Sequence, residues 1–102
     1  MEQLLSQDEK PDAVFAVSDS LAAGALRAID QAGLRVPEDI AVIGFDGTEL
    51  AEVVSPQLTT VEQPSRAIGR TAVDLLMKRI DDPDAAVERV MMDWRVIARA
   101  SA

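Results

Sequence analysis

The 102-residue sequence contains no cysteine and no histidine. Without cysteine there are no disulfides and no thiolate nucleophiles. Without either residue the usual zinc ligands and the histidine general base are gone as well. A cysteine-free chain fits a reducing cytoplasm. Basic residues are also scarce, ten Lys and Arg against eighteen Asp and Glu, for a net charge of -8. They are scattered, and the longest run is Lys78-Arg79. Phosphate contacts need clustered positive charge, so direct nucleic-acid binding by this chain is not expected. No apolar run has the length that spans a bilayer. The opening MEQLLSQDEK lacks an apolar stretch behind a basic start and does not read as a signal peptide. There is no glycine-rich phosphate loop. Nothing here calls for a cofactor or a metal, and no catalytic residue stands out.

What is present is a globular amount of apolar residues, 48 %, which is enough for one modest core. Residues 2–9 suit a short helix, with Leu4 and Leu5 inward. Ala13 to Val17 and Ile40 to Phe45 are continuous apolar runs of strand length. Continuous rather than alternating hydrophobicity predicts strands of a parallel sheet, buried on both faces. Between them, Ser20 to Ala32 repeats apolar residues at helical spacing, with cap oxygens from Ser18 and Asp19 in front and Gly33 behind. Strand, helix and strand within about 35 residues make a βαβ unit. Residues 48–56 read as a loop with one helical turn at 49–53. Leu58 to Val61 reads as a third strand, Ser65 to Ile80 as an amphipathic helix, and Val90 to Arg99 as an alternating edge strand.

Both apolar runs finish on carboxylates, Ser18-Asp19 after the first and Asp46-Gly47 after the second. Open α/β sheets bind ligands beyond the carboxyl ends of their strands. Asp46 can accept from two adjacent hydroxyls, although Asp-Gly is also a common turn pair.

Val36-Pro37-Glu38-Asp39-Ile40-Ala41-Val42-Ile43-Gly44-Phe45-Asp46 and Ser55-Pro56-Gln57-Leu58-Thr59-Thr60-Val61 resemble the lactose/galactose repressor (LacI/GalR) family of transcription regulators. So do Gln63-Pro64, Ile68-Gly69, Leu75-Leu76 and Arg99-Ala100-Ser101. The resemblance implies a C-terminal portion of a periplasmic-binding-protein-like (type I) effector-binding core, without the DNA-binding domain. The implied architecture is an α/β three-layer sandwich with a mainly parallel sheet, here one unit over residues 1–102. Residues 12–62 would resemble the C-terminal lobe, and residues 64–90 a segment that packs on the N-terminal lobe. A helix at 65–80 cut off from that lobe is expected to fold back on the sheet or to be exchanged in a dimer.

The resemblance further implies a non-catalytic sensor of a small-molecule effector, a sugar or related compound. The full-length protein would be a cytoplasmic homodimer on operator DNA, with no membrane partner. Asp46 would contact the ligand. Ser18, where the family more often has Asn, would contact it or cap the helix. Asp19 would serve as a cap or a secondary contact. Gly47 departs from the family's acidic or amide residue; a ligand or a close backbone could fill that room, but it reads first as a plain turn. Trp94 could stack on a sugar face, but its place in an alternating apolar face predicts a core position, as for Met91 and Met92. Gln63 would support the hinge or lie in a solvated loop. The helix of small residues from Leu21 to Ala32 would join the dimer interface or pack on its own sheet. Two rivals remain: a folded piece with no ligand binding of its own, and a receiver-like enzyme with Mg²⁺ on Asp19 and Asp46. The second lacks histidine, cysteine and a lysine after the third strand.

Overall fold

The apolar runs pair side by side in the computed structural model, which describes residues 1–102. Strands β1 (Ala13–Phe15), β2 (Ala41–Asp46) and β3 (Thr59–Glu62) are parallel neighbours, and β4 (Arg95–Ile97) lies antiparallel beside β3. The order is β1-β2-β3-β4. Four helices complete the chain: α1 (Glu2–Leu5), α2 (Asp19–Gln31), α3 (Leu50–Val53) and α4 (Ser65–Asp81).

The crossover helix α2 is defined at both ends by local chemistry. Ser18 Oγ accepts from the Leu21 amide at 3.3 Å, which satisfies one of the orphan N–H groups of the first turn. At the other end Gly33 takes φ +73°. Its amide donates to the Asp30 carbonyl and that of Leu34 to the Ile29 carbonyl, which closes the helix by a Schellman motif. Ala22, Ala25, Leu26 and Ile29 form the buried face, spaced as an amphipathic helix requires. They pack with Val42, Ile40, Leu58, Ala51 and Ala16 in one core.

That core lies on one side of the sheet. Val42 and Gly44 of β2 point into it and are buried, whereas Ile43 and Phe45 alternate to the other side and are half-buried. There Phe15 and Phe45 meet edge-to-face with centroids 6.4 Å apart, and Phe15 is still 59 % exposed. The mainly parallel α/β sheet is as the sequence predicts, but burial of both faces is not achieved within these residues.

The chain end plugs the opposite edge of the sheet. Ser101 is fully buried. Its carbonyl accepts from the Val42 amide at 2.8 Å. Its hydroxyl donates to the Val42 carbonyl at 2.6 Å and accepts from the Thr59 amide at 2.9 Å. Arg99 adds a bond from its guanidinium to the Leu58 carbonyl at 2.9 Å. Residues 99–101 therefore stitch β2 to β3 where the strand ladder has not yet begun.

The expected fold-back of the 65–80 helix does not occur. Helix α4 has no buried residue and extends outward, giving principal dimensions of 57 × 26 × 16 Å and a radius of gyration of 18.1 Å. A compact domain of this length would measure about 13 Å. Only the two-residue link Gln63-Pro64 separates β3 from α4, and between the helix and Phe45 and Val61 of the sheet an open groove remains instead of a packed contact. The alternating segment is strand only at 95–97. Val90, Met91, Met92 and Trp94 instead line an apolar groove together with Ile68, Ala72 and Leu75 of α4. Trp94 and Met91, expected in the core, are 66 % and 92 % exposed. Their alternation is real, but the surface that would cover them is not in these residues.

Replacing Ser101 by Ala leaves the Val42 carbonyl and the Thr59 amide without a buried partner. The expected loss is about 1–3 kcal/mol, seen as a lower urea midpoint at unchanged slope.

Candidate functional site

The parallel strands β2 and β3 end side by side and the antiparallel β4 begins there: Asp46, the last residue of β2, lies opposite Glu62, the last of β3, and Glu62 lies opposite Arg95, the first of β4. Beyond this edge opens a cleft of about 660 Å³. It is lined among others by Asp46, Gln63, Arg66, Asp93, Trp94 and Arg95.

Asp46 has φ +111°, a backbone region that costs a non-glycine residue about 1–3 kcal/mol and persists only when the surroundings hold it. One restraint is visible in front: Gln63 Nε2 donates to Asp46 Oδ1 at 2.8 Å. Gln63 is thus neither free in solvent nor merely a link, since it orients the carboxylate. The other oxygen, Oδ2, accepts no hydrogen bond from the chain, and Asp46 is one of the residues that line the cleft. Gly47 follows at φ +70°, and a Cβ there would lie 2.7 Å from the backbone of Glu62. Of the readings for Gly47, the close backbone holds: the room left by its missing side chain is taken by Glu62, and its positive φ suits the turn.

Beneath the loop lies Asp19, fully buried. Oδ2 accepts from the Thr48 amide at 2.7 Å and the Thr48 hydroxyl at 2.9 Å. Oδ1 accepts from the Thr60 hydroxyl at 2.5 Å. Gly44 is the vacancy that admits this carboxylate, because a Cβ on residue 44 would sit 2.4 Å from Asp19 Oδ1 and 2.8 Å from Leu58 Cδ2. The cap expected of Asp19 is made by Ser18 instead. Ser18 and Asp46 occupy neighbouring strand ends, but Ser18 is not among the residues lining the cleft. Since both Asp19 oxygens are occupied by hydroxyl and amide donors, Asp19 and Asp46 do not converge on a shared cation, and no three His, Cys, Asp or Glu residues group as metal ligands.

Glu62 and Arg95 form an ion pair across the cleft floor. The Arg95 hydrogen bond holds the Glu62 carboxyl below the usual range, against a smaller opposing effect of burial. Carboxylate and guanidinium groups beside an exposed indole make a surface suited to a polyhydroxylated ligand: acceptors and donors for hydroxyls, and a flat apolar face for a ring. Sequence reasoning missed Thr48, Thr60, Arg66 and Arg95. The available signal was the pair of threonines at the start of β3, polar residues in an otherwise apolar strand.

Gly44→Ala must displace Asp19 or Leu58 and is expected to destabilise by about 1–3 kcal/mol. Gly24→Ala, in α2 with open space around it, is expected to stabilise by about 0.5–1 kcal/mol. Chemical denaturation of the two variants checks both signs. The Glu62–Arg95 pair stabilises the fold fully above about pH 5 and loses its effect as the pH falls below about 4, because the folded carboxyl titrates lower than the unfolded one. The midpoint difference between the wild-type chain and Arg95→Gln should therefore shrink on acidification, measured by urea unfolding from about pH 6 to about pH 3.

Comparison with known proteins agrees with this geometry. The periplasmic binding protein-like domain family matches residues 1–102. The HTH-type transcriptional repressor PurR of Vibrio atlanticus is 41% identical over 100 residues, covering 98% of this chain and 30% of that protein. The ribose operon repressor of Escherichia coli is 44% identical over 102 residues, all of this chain and 31% of that protein. A LacI family transcriptional regulator from Enterococcus faecium, solved with bound ribose, superimposes with a TM-score of 0.78 at 36% identity, over 97% of this chain and 36% of that one. The chain thus spans under a third of the length of the two curated relatives, which are transcriptional repressors rather than enzymes. No helix is long and apolar enough to cross a membrane. With the sheet order, the strand-end cleft and these matches in agreement, the chain belongs to the periplasmic binding protein-like domain family, and it is similar within it to LacI family regulators.

Proposed function

We propose that this chain is a non-catalytic part of the effector-sensing core of a LacI-type transcriptional regulator, with the DNA-binding domain outside it. The observation that carries the reading is Asp46: a strained carboxylate at a strand end, oriented by Gln63, with one oxygen left for a ligand in an open cleft. The ligand is a sugar or a related polyhydroxylated small molecule. Asp46 accepts from its hydroxyls; Ser18 stands at the next strand end outside the lining of the cleft, and a ligand that reaches past Asp46 meets its free hydroxyl hydrogen, since its cap role uses only a lone pair. The ribose named for two of the similar proteins supports this class.

In this reading residues 12–62 belong to the C-terminal lobe and residues 64–90 to a segment that packs on the N-terminal lobe. The outward course of α4 and its apolar groove support this division, as does the share of the relatives' length that the chain leaves uncovered. The whole protein would be a cytoplasmic homodimer whose effector shifts its hold on operator DNA. A second reading, a folded piece with no binding of its own, is favoured by the openness of the cleft, half of whose wall would come from elsewhere.

Thermal unfolding against D-ribose and other sugars tests the proposal. A ligand at about 100 times its Kd adds about 2.7 kcal/mol, which raises the midpoint by about 10 °C or more for a chain of this length. The shift should vanish in Asp46→Asn. A cooperative transition that no sugar moves supports the second reading.

A further inference from the structure

The ligand contacts proposed above leave one buried carboxylate unused. Asp19 is fully inaccessible, and burying a charge is costly unless donors surround it. Here three donors do, and two of them belong to the loop that carries Asp46: the amide and the hydroxyl of Thr48. The third, Thr60, is a relay. Its hydroxyl donates to Asp19 at 2.5 Å and accepts from the Gly47 amide at 3.4 Å. Both residues that follow Asp46 are thus tied to one carboxylate, directly or through a single hydroxyl.

Asp46 and Gly47 have consecutive positive φ angles, +111° and +70°. Such a backbone relaxes unless restrained on both sides. Gln63 restrains the Asp46 side chain in front, and the Asp19 network is the restraint behind. Gly44, cleared of a side chain, is what gives that network its space. We propose that Asp19 is the positioning residue of the ligand loop: it touches no ligand, and it holds residues 46–48 in the one conformation that turns the free oxygen of Asp46 into the cleft. This rests on Asp46 as a ligand contact.

The test separates the two claims. Amide hydrogen exchange is followed by NMR in the wild-type chain, Asp19→Asn, Thr48→Val and Thr48→Ser, and D-ribose binding is measured on the same proteins and on Asp46→Asn. Asp19→Asn and Thr48→Val should speed exchange at Gly47 and Thr48 by about tenfold or more, beyond any change at Val42 and Ile43. They should also weaken D-ribose by a similar factor, and Thr48→Ser should restore both. Should Asp19→Asn fail to fold, Thr48→Val carries the test alone, because it leaves the buried carboxylate its other donors. Exchange at Gly47 and Thr48 that changes only in step with Val42 and Ile43 would overturn the positioning role. So would D-ribose affinity that survives in both variants while Asp46→Asn abolishes it. If the wild-type chain binds no D-ribose, or Asp46→Asn leaves binding intact, the ligand reading fails, and the exchange data still decide the conformational claim.

Discussion

One carboxylate ties three elements of this fold together. Asp19 opens α2, yet its oxygens serve the loop after β2 and Thr60 of β3. The strand-end edge of the sheet would otherwise present threonine hydroxyls and loop amides with no partners beneath the surface, and a buried unmade hydrogen bond costs more than a made one returns. The arrangement also needs an absence, the side chain that Gly44 does not have. Asp46 can hold its unfavourable backbone because everything behind it is already fixed.

The molecule is divided in its energetics. All of the buried core lies in residues 16–60 and at Ser101, while α4 and the segment 90–94 expose Leu76, Ile80, Met91 and Trp94. The sheet itself is finished on one side only. Strands apolar on both faces are the signature of a parallel sheet within a larger body, and here only the α2 side has its cover. The same composition that builds the inner core therefore leaves a second apolar surface, continuous from Phe45 and Val61 to Ile68 and Leu75.

Most of the element order was legible in the residues. Periodicity located α2 and α4, and the Ser18 and Gly33 signals marked both ends of α2 correctly, because capping is decided by neighbours a few positions apart. The site was legible in part. Asp46 could be picked out by its place at a strand end, but its partner Gln63 lies 17 residues on, and no local pattern announces such a pairing. Asp19 looked like a cap because sequence shows that it sits at a helix start, and it does not show that Gly44 opens a hole for its carboxylate 25 positions later. The expectation for Trp94 failed for a different reason. Alternation reports that a face wants cover, and the cover is not in these residues. The fold-back of α4 failed likewise, since amphipathicity says that a helix needs a partner surface without saying that the route from β3 leads to it.

The pairing of β3 with β4 has a topological meaning. Glu62 stands directly across the ladder from Arg95, so everything between them leaves the sheet at one rung and re-enters at the same rung. The 63–94 segment is an excursion mounted on an antiparallel pair that would close by itself with a short tight turn. The four strands, the buried core and the Ser101 stitch all lie outside the excursion, as do Ser18, Asp46, the Asp19 network and the Glu62–Arg95 pair, whereas Gln63, which orients Asp46, belongs to it. The sheet and its core thereby form one continuous body in space although the chain is interrupted between β3 and β4, and the outward helix rides on that interruption.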